Sequence, residues 1–353
     1  MRTTTWNTTF AAAVLFVAGL ITSCGSTSNT TRTTAVAIPS IIFETDMGND
    51  VDDALAIDML YKYVDQGKIR LLGISNNKNS AYSIPFLQIM NRWYGHPGIP
   101  LGNVETAVNS QGDSKDYAQV TVEYMVNGTR AFQYLPGDTS QVMSSVSLYR
   151  KLLALEPDNS VTIVSVGFST NIARLLESAP DGYSRLTGKD LVRKKVKLLS
   201  MMAGNFDGKL NSGEYNVIKD TVAAKKVFSE WPTPIVTSPF EVGITIPYPA
   251  SSIVNDLAWA PVHPLRVAYE SYLPMPYDRP TWDPTAVLFA VEGNKYFGDS
   301  GPGTIKVELN GHTSFAPGGG GKHRYLTVNA EQRTAITNHF IELIRAKPLK
   351  NSL

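Results

Sequence analysis

Residues 41–63 read IIFETDMGNDVDDALAIDMLYKY. Ile41–Thr45 is a short apolar run with β-branched residues, the signature of a buried strand. Ile57, Leu60, Tyr61 and Val64 then recur at i, i+3, i+4 and i+7, which is the spacing of one helix face. Between the two lie Asp46, Asp50, Asp52 and Asp53, four carboxylates within eight positions. Asp52 or Asp53 begins the helix. In an α/β sheet, ligands bind beyond the carboxyl ends of the strands, where these residues fall.

The same alternation continues outward. Further strand-like runs occupy 69–75, 161–166, 196–203 and 235–240, and Ile172, Leu175 and Leu176 mark a helix after the second of these runs. Near-continuous apolar strands separated by helices predict an α/β fold with an open, mainly parallel sheet covered by helices on both faces. Beyond residue 300, TIKVEL, the Asn310–Gly311 turn signal, a Gly-rich loop and RYLTV predict a small β-hairpin annex, and 329–346 predicts a closing helix. No internal repeat or linker divides residues 40–350, which are expected to form one domain.

With 353 residues, 32 Lys+Arg and 31 Asp+Glu, the chain can bury a large core, and its charge balance gives no reason to expect nucleic acid as a partner. The apolar run 10–21 is too short to cross a bilayer and fits a signal-peptide core. It ends in LITSC, which resembles the lipobox of bacterial lipoproteins. The resemblance implies a signal peptide over 1–23, lipidation of Cys24 and a membrane-anchored protein on the periplasmic or outer side. A plain secretory signal with an incidental cysteine is the alternative. Residues 24–39 are Ser/Thr-rich and aromatic-free, as a flexible tether is.

Helix capping explains one or two of the four aspartates. Four together repel one another unless a cation is present. A hard cation such as calcium takes six to eight oxygens in irregular geometry, which suits the cluster, although the spacing is not that of an EF-hand.

ETDMGNDVDDALA resembles the signature of the inosine–uridine preferring nucleoside hydrolases, in a form with two extra residues before the Asp pair. VTIVSVGFSTNIARLL (161–176), MMAGNFDGKLNSGEYNVIKDTVAAKKVF (201–228) and RPTWDPTAVLFAV (279–291) resemble further stretches of that family in the same order. The resemblance implies a calcium-dependent enzyme that cleaves the N-glycosidic bond of ribonucleosides with water, and association of copies into oligomers. It implies that Asp46 is both metal ligand and base toward the water. Asp53, Asp283 and the Val166 carbonyl would complete the metal set. Asp52, Asn77 or Asn79, Asn205, Glu214 and Asn216 would hold the sugar. Two departures stand out: Glu44 replaces the usual Asp, and Trp282 stands where the inosine–uridine branch has a His that serves as an acid for the leaving base. Trp cannot serve so, but it can stack on a base, and a purine offers the larger face. Whether Asp50 joins the metal is left open.

The histidines, His96, His263, His312, His323 and His339, are scattered and read as structural or surface residues. The run PGGGGK (317–322) fails the phosphate-loop pattern, since His323 follows the Lys. The expected function is therefore hydrolysis of ribonucleosides, purines foremost. A nucleoside- or pentose-binding lipoprotein with little turnover is the alternative from another class.

Overall fold

The computed structural model describes residue 1 and residues 38–106, 116–134 and 142–349. The signal segment, Cys24 and nearly all of the tether lie outside the described residues. The domain is the unit from Ile38 onward.

Its strands, in chain order, are β1 (Ser40–Thr45), β2 (Arg70–Asn76), β3 (Leu101–Asn103), β4 (Met125–Val126), β5 (Thr129–Arg130), β6 (Val142–Ser144) and β7 (Val161–Ser165). They continue as β8 (Val196–Met202), β9 (Ile235–Ser238), β10 (Pro247–Tyr248), β11 (Arg279–Pro280) and β12 (Gly298–Asp299). β13 (Gly303–Val307), β14 (Thr313–Pro317) and β15 (His323–Thr327) end the series. Among the described residues the main sheet runs β14-β13-β15-β9-β8-β7-β1-β2-β3-β6, with β12 beside β15. From β6 across to β15 the neighbours are all parallel. The mainly parallel α/β layer expected from the sequence is present.

The chain works outward from β1 to β6, then returns to lay β7 against the other side of β1. The strand order therefore reverses between β1 and β7, which opens a crevice at their carboxyl ends. β1 is buried along its whole length. Its side chains alternate between two cores: Ile41 and Phe43 join one with the helices Asp52–Asp65 and Asp283–Glu292, while Ile42 joins the other with Ile163, Ile172 and Leu176. Burying each such side chain contributes roughly 1.5–3 kcal/mol, so β1 is fixed from both sides. The loop that follows it inherits that rigidity.

Three local expectations need correction. TIKVEL does not pair mainly with RYLTV: β13 forms its hairpin with β14, and β15 joins the main sheet parallel to β9. The Asn310–Gly311 turn leads straight into Thr313–Pro317, a strand whose mixed side chains hid it. The run 235–240 stops as a strand at Ser238, and Phe240 opens a short helix after Pro239. Asp283 before Pro284 reads in the sequence as a helix cap, but Trp282 occupies that position and Asp283 is already helical, with Pro284 in the first turn.

Candidate active site

A cavity of about 270 Å³ opens in the crevice. It is lined by Asp46, Asn49, Asp50, Asp52, Asp53, Val166, Met202, Glu214, Tyr215, Asn216, Phe240, Tyr272, Trp282 and Asp283. That volume lies near the lower end for small-molecule sites, roughly 300 Å³. All four aspartates of the opening stretch thus meet the residues that follow β7, β8 and β9.

The loop after β1 is held tightly. Gly48 has φ +113°, a left-handed conformation suited to glycine, and its N–H donates to the Tyr117 hydroxyl at 3.0 Å. Ser83 donates to the Met47 carbonyl at 2.5 Å. Gly167, after β7, must lack a side chain: a Cβ there would lie 2.7 Å from both the backbone N and Oδ1 of Asp46, and 2.8 Å from Asn77 Oδ1.

Asp46, Asp52, Asp53 and Asp283 are 4%, 1%, 1% and 5% exposed. Asn49 donates to Asp46 at 2.5 Å, and Thr45 donates to Asp53. Asp52 accepts from the backbone N–H groups of Trp282 and Asp283 at 2.9 and 3.0 Å. It therefore caps the Asp283 helix from outside, which is favourable at the positive end of a helix. Burial, opposed by Asn49 and Lys78 and reinforced by Asp50, pushes the Asp46 carboxyl up to about 6. Burial and mutual repulsion push Asp52, Asp53 and Asp283 well above the ordinary carboxylate range.

Asp50 differs. Arg279 grips it through Nε at 2.9 Å and through Nη2, forming a two-pronged ion pair. Its charge is thereby answered within the protein. Arg279 is thus the partner that the structure gives Asp50. Asp46, Asp52, Asp53 and Asp283 have no ion-pair partner among the described residues.

Those buried carboxylates, with the Val166 carbonyl beside them, form an oxygen donor set suited to a hard cation. Among the described residues no three His, Cys, Asp or Glu side chains form a ready-made metal cage. The fit is therefore one of donor chemistry and charge. Asn216 donates its amide to the Val166 carbonyl at 3.1 Å, using one of that oxygen's two lone pairs.

Other predicted residues separate. Glu214 lines the cavity and also caps the Tyr215–Lys219 helix, accepting from the N–H groups of Gly204, Asn216 and Val217. Burial lifts its carboxyl to about 7 despite these bonds. Asn205 does not line the cavity. Its amide donates to Asp207 and Glu241, each at 3.0 Å. Asn79 is exposed and away from the cavity, whereas Asn77 is fully buried behind it. Asn77 donates to Glu44 at 2.9 Å and to the Phe168 carbonyl at 2.7 Å, while its Oδ1 has no hydrogen-bond partner among the described residues. Glu44 also accepts from Tyr149. Trp282 lines the cavity, lies 5.7 Å from Phe240 ring to ring, and donates its indole N–H to the Phe240 carbonyl. None of the five histidines lines the cavity. His96 does pair with an acid, Asp65 at 2.9 Å, but far from it.

The sequence reading missed Met202, Tyr215, Phe240, Tyr272 and the Arg279 pair. Arg279 and Tyr215 lay in stretches already singled out, so a charge or aromatic ring beside a predicted ligand was the available signal. Tyr272 had none.

Inosine-uridine preferring nucleoside hydrolase is the family description that matches this chain, over residues 41–334. No curated protein matches the sequence. Among solved structures, an inosine-guanosine nucleoside hydrolase is 18% identical with a TM-score of 0.66, covering 88% of this chain and 98% of its own. A purine-preferring ribonucleoside hydrolase from Gardnerella vaginalis is 16% identical with a TM-score of 0.64, covering 87% and 99%. An inosine-uridine preferring nucleoside hydrolase from Bacillus anthracis is 16% identical with a TM-score of 0.64, covering 86% and 99%. At these identities the likeness establishes the fold, and the family assignment rests on the match over 41–334. The chain belongs to the inosine-uridine preferring nucleoside hydrolase family, whose members are N-ribohydrolases.

Proposed function

We propose that this N-ribohydrolase is calcium-dependent, favours purine ribonucleosides, and works while tethered to a bacterial membrane through a lipid on Cys24. The observation that carries the site reading is the set of four buried carboxylates without ion-pair partners around one crevice.

Asp46, Asp53, Asp283 and the Val166 carbonyl would hold the ion. Calcium bound there supplies positive charge that makes a neighbouring water more acidic and orients sugar hydroxyls. Asp46 is the base. As a carboxylate beside the water that the ion would hold, it stands where the water proton has to go. Asp52 offers its remaining oxygen to the ribose while its other oxygen fixes the Asp283 helix. Glu214 and Asn216 stand on the loop expected to hold the 5′ end of the sugar. Aromatic lining by Phe240, Trp282, Tyr215 and Tyr272 favours a flat, extended base, which supports the purine preference. The names of the Gardnerella and inosine-guanosine relatives point the same way.

The membrane tether rests on LITSC alone. Among the described residues no helix is long and apolar enough to cross a membrane. A second reading, a nucleoside-binding lipoprotein with little turnover, is favoured only by Glu44 and the missing His.

The test is ribose release from a panel of purine and pyrimidine ribonucleosides by protein starting after Cys24, with and without a calcium chelator. Chelator-sensitive release, lost in Asp46→Asn while inosine binding persists, supports the proposal. Inosine binding without release in the parent protein selects the second reading. Oligomeric state is read in the same preparation by light scattering.

A further inference from the structure

The residues assigned so far bind sugar, activate water and stack on the base, but none donates a hydrogen bond to the base as it departs. The position where the inosine–uridine branch has a His is Trp282, and no histidine lines the cavity. The cation beside this wall is Arg279, which does not itself line the cavity but packs against residues that do. Its guanidinium carbon lies 5.1 Å from the Tyr272 ring and 5.2 Å from the Trp282 ring, and both rings line the cavity. Nε and Nη2 are committed to Asp50, itself a lining residue. Nη1 makes no hydrogen bond among the described residues. Two aromatic contacts and a two-pronged ion pair leave this long side chain little freedom.

We propose that Arg279 is the hydrogen-bond donor for the leaving base, with Asp50 as its positioning residue. This rests on the hydrolase reading above. A guanidinium stays protonated at any working pH, so Arg279 does not deliver a proton. In the step, the water oxygen bonds to C1′ and the water proton passes to Asp46. The electron pair of the C1′–N bond leaves with the base. The base departs as an anion whose charge Arg279 N–H groups stabilise, and solvent then protonates it. Donors aimed where charge develops act mainly on the transition state. The acceptors that suit such a fork are adjacent ring nitrogen and carbonyl oxygen, as on the N7/O6 edge of a 6-oxopurine. The inference therefore narrows the substrate class to 6-oxopurine ribosides such as inosine and guanosine.

The experiment compares inosine with 4-nitrophenyl riboside, whose leaving group is a stable anion and needs no donor. For Arg279→Met, the ratio of kcat on inosine to kcat on the nitrophenyl riboside is expected to fall on the order of 100-fold. Asp50→Asn should lower the same ratio less. Arg279→Lys keeps the charge without the fork, should also lower the ratio, and carries the test should Arg279→Met not fold. An unchanged ratio, whether both rates fall together or neither falls, overturns the proposal and leaves Arg279 a structural residue. Absence of ribose release by the parent protein from either substrate overturns the hydrolase reading itself. Release of ribose from the nitrophenyl riboside alone keeps the hydrolase reading and overturns the role given to Arg279.

Discussion

Glu44→Gln should make the protein more stable above neutral pH, by an amount the structure allows to be worked out. Glu44 is fully buried, accepts from Asn77 at 2.9 Å and from Tyr149, and has no ion-pair partner among the described residues. Burial lifts its carboxyl to about 7 from an ordinary 4.5, partly offset by bonds from Asn77, Tyr149 and Ser75. The folded value lies above the unfolded one. Its contribution to stability is therefore fully present below about 4.5 and is lost as pH rises through about 7. About two and a half pH units at ~1.4 kcal/mol each give a cost of ~3 kcal/mol for the ionised form. Gln is close in shape and never ionises, and the Tyr149 hydroxyl can accept from its amide instead of donating. Urea unfolding at pH 5, 6, 7 and 8, with chelator present throughout, measures both proteins. At pH 5 they should agree within ~1 kcal/mol, and by pH 8 the variant should be ahead by ~3 kcal/mol. A difference that stays constant across this range would refute the assignment of a buried, reluctant charge to Glu44.

Other outcomes follow from the same geometry. Calcium should raise the melting temperature more at pH 8 than at pH 5, because it binds the ionised forms of Asp46, Asp53 and Asp283, whose protonation burial favours; an equal rise at both pH values, read by calorimetry, would disprove this. Gly167→Ala forces a methyl to within 2.7 Å of Asp46 and should cost roughly 1–3 kcal/mol while displacing that carboxylate. Its kcat should fall with KM little changed, and unaltered turnover would count against Asp46 as the base. Lys62, 2% exposed, donates to the Ile344 carbonyl at 3.2 Å and lies 3.8 Å from fully buried Asp58. Lys62→Met should cost roughly 3–5 kcal/mol in urea titrations, and a loss under 1 kcal/mol would show that the Asp58 carboxyl is already neutral.

The buried strands were legible because each interior strand of a parallel sheet faces helices on both sides and is written in apolar letters. Asp46 stood out in the acidic cluster after β1, whereas Asp53 and Asp283 were singled out by the family resemblance; all three line the cavity. β14 was not legible, since Thr313–Pro317 mixes polar and apolar residues on an exposed edge. Asn205 misled because an amide beside Gly204 suits a sugar, yet Asp207 and Glu241 take it. Spacing alone cannot show which acceptor an amide meets. The Arg279–Asp50 pair joins residues 229 positions apart and leaves no periodic trace.

The two hydrogen bonds from Trp282 and Asp283 to Asp52 have a consequence for how the chain matures. They close loops of 230 and 231 residues, so the acidic loop made first waits for almost the whole domain before Asp52 finds its donors. Until the Asp283 helix docks, the carboxylates stay hydrated and avoid the cost of burial. No N-terminal fragment ending before Arg279 can therefore assemble the site. Desolvation of the acidic cluster therefore depends on docking of the Asp283–Glu292 helix.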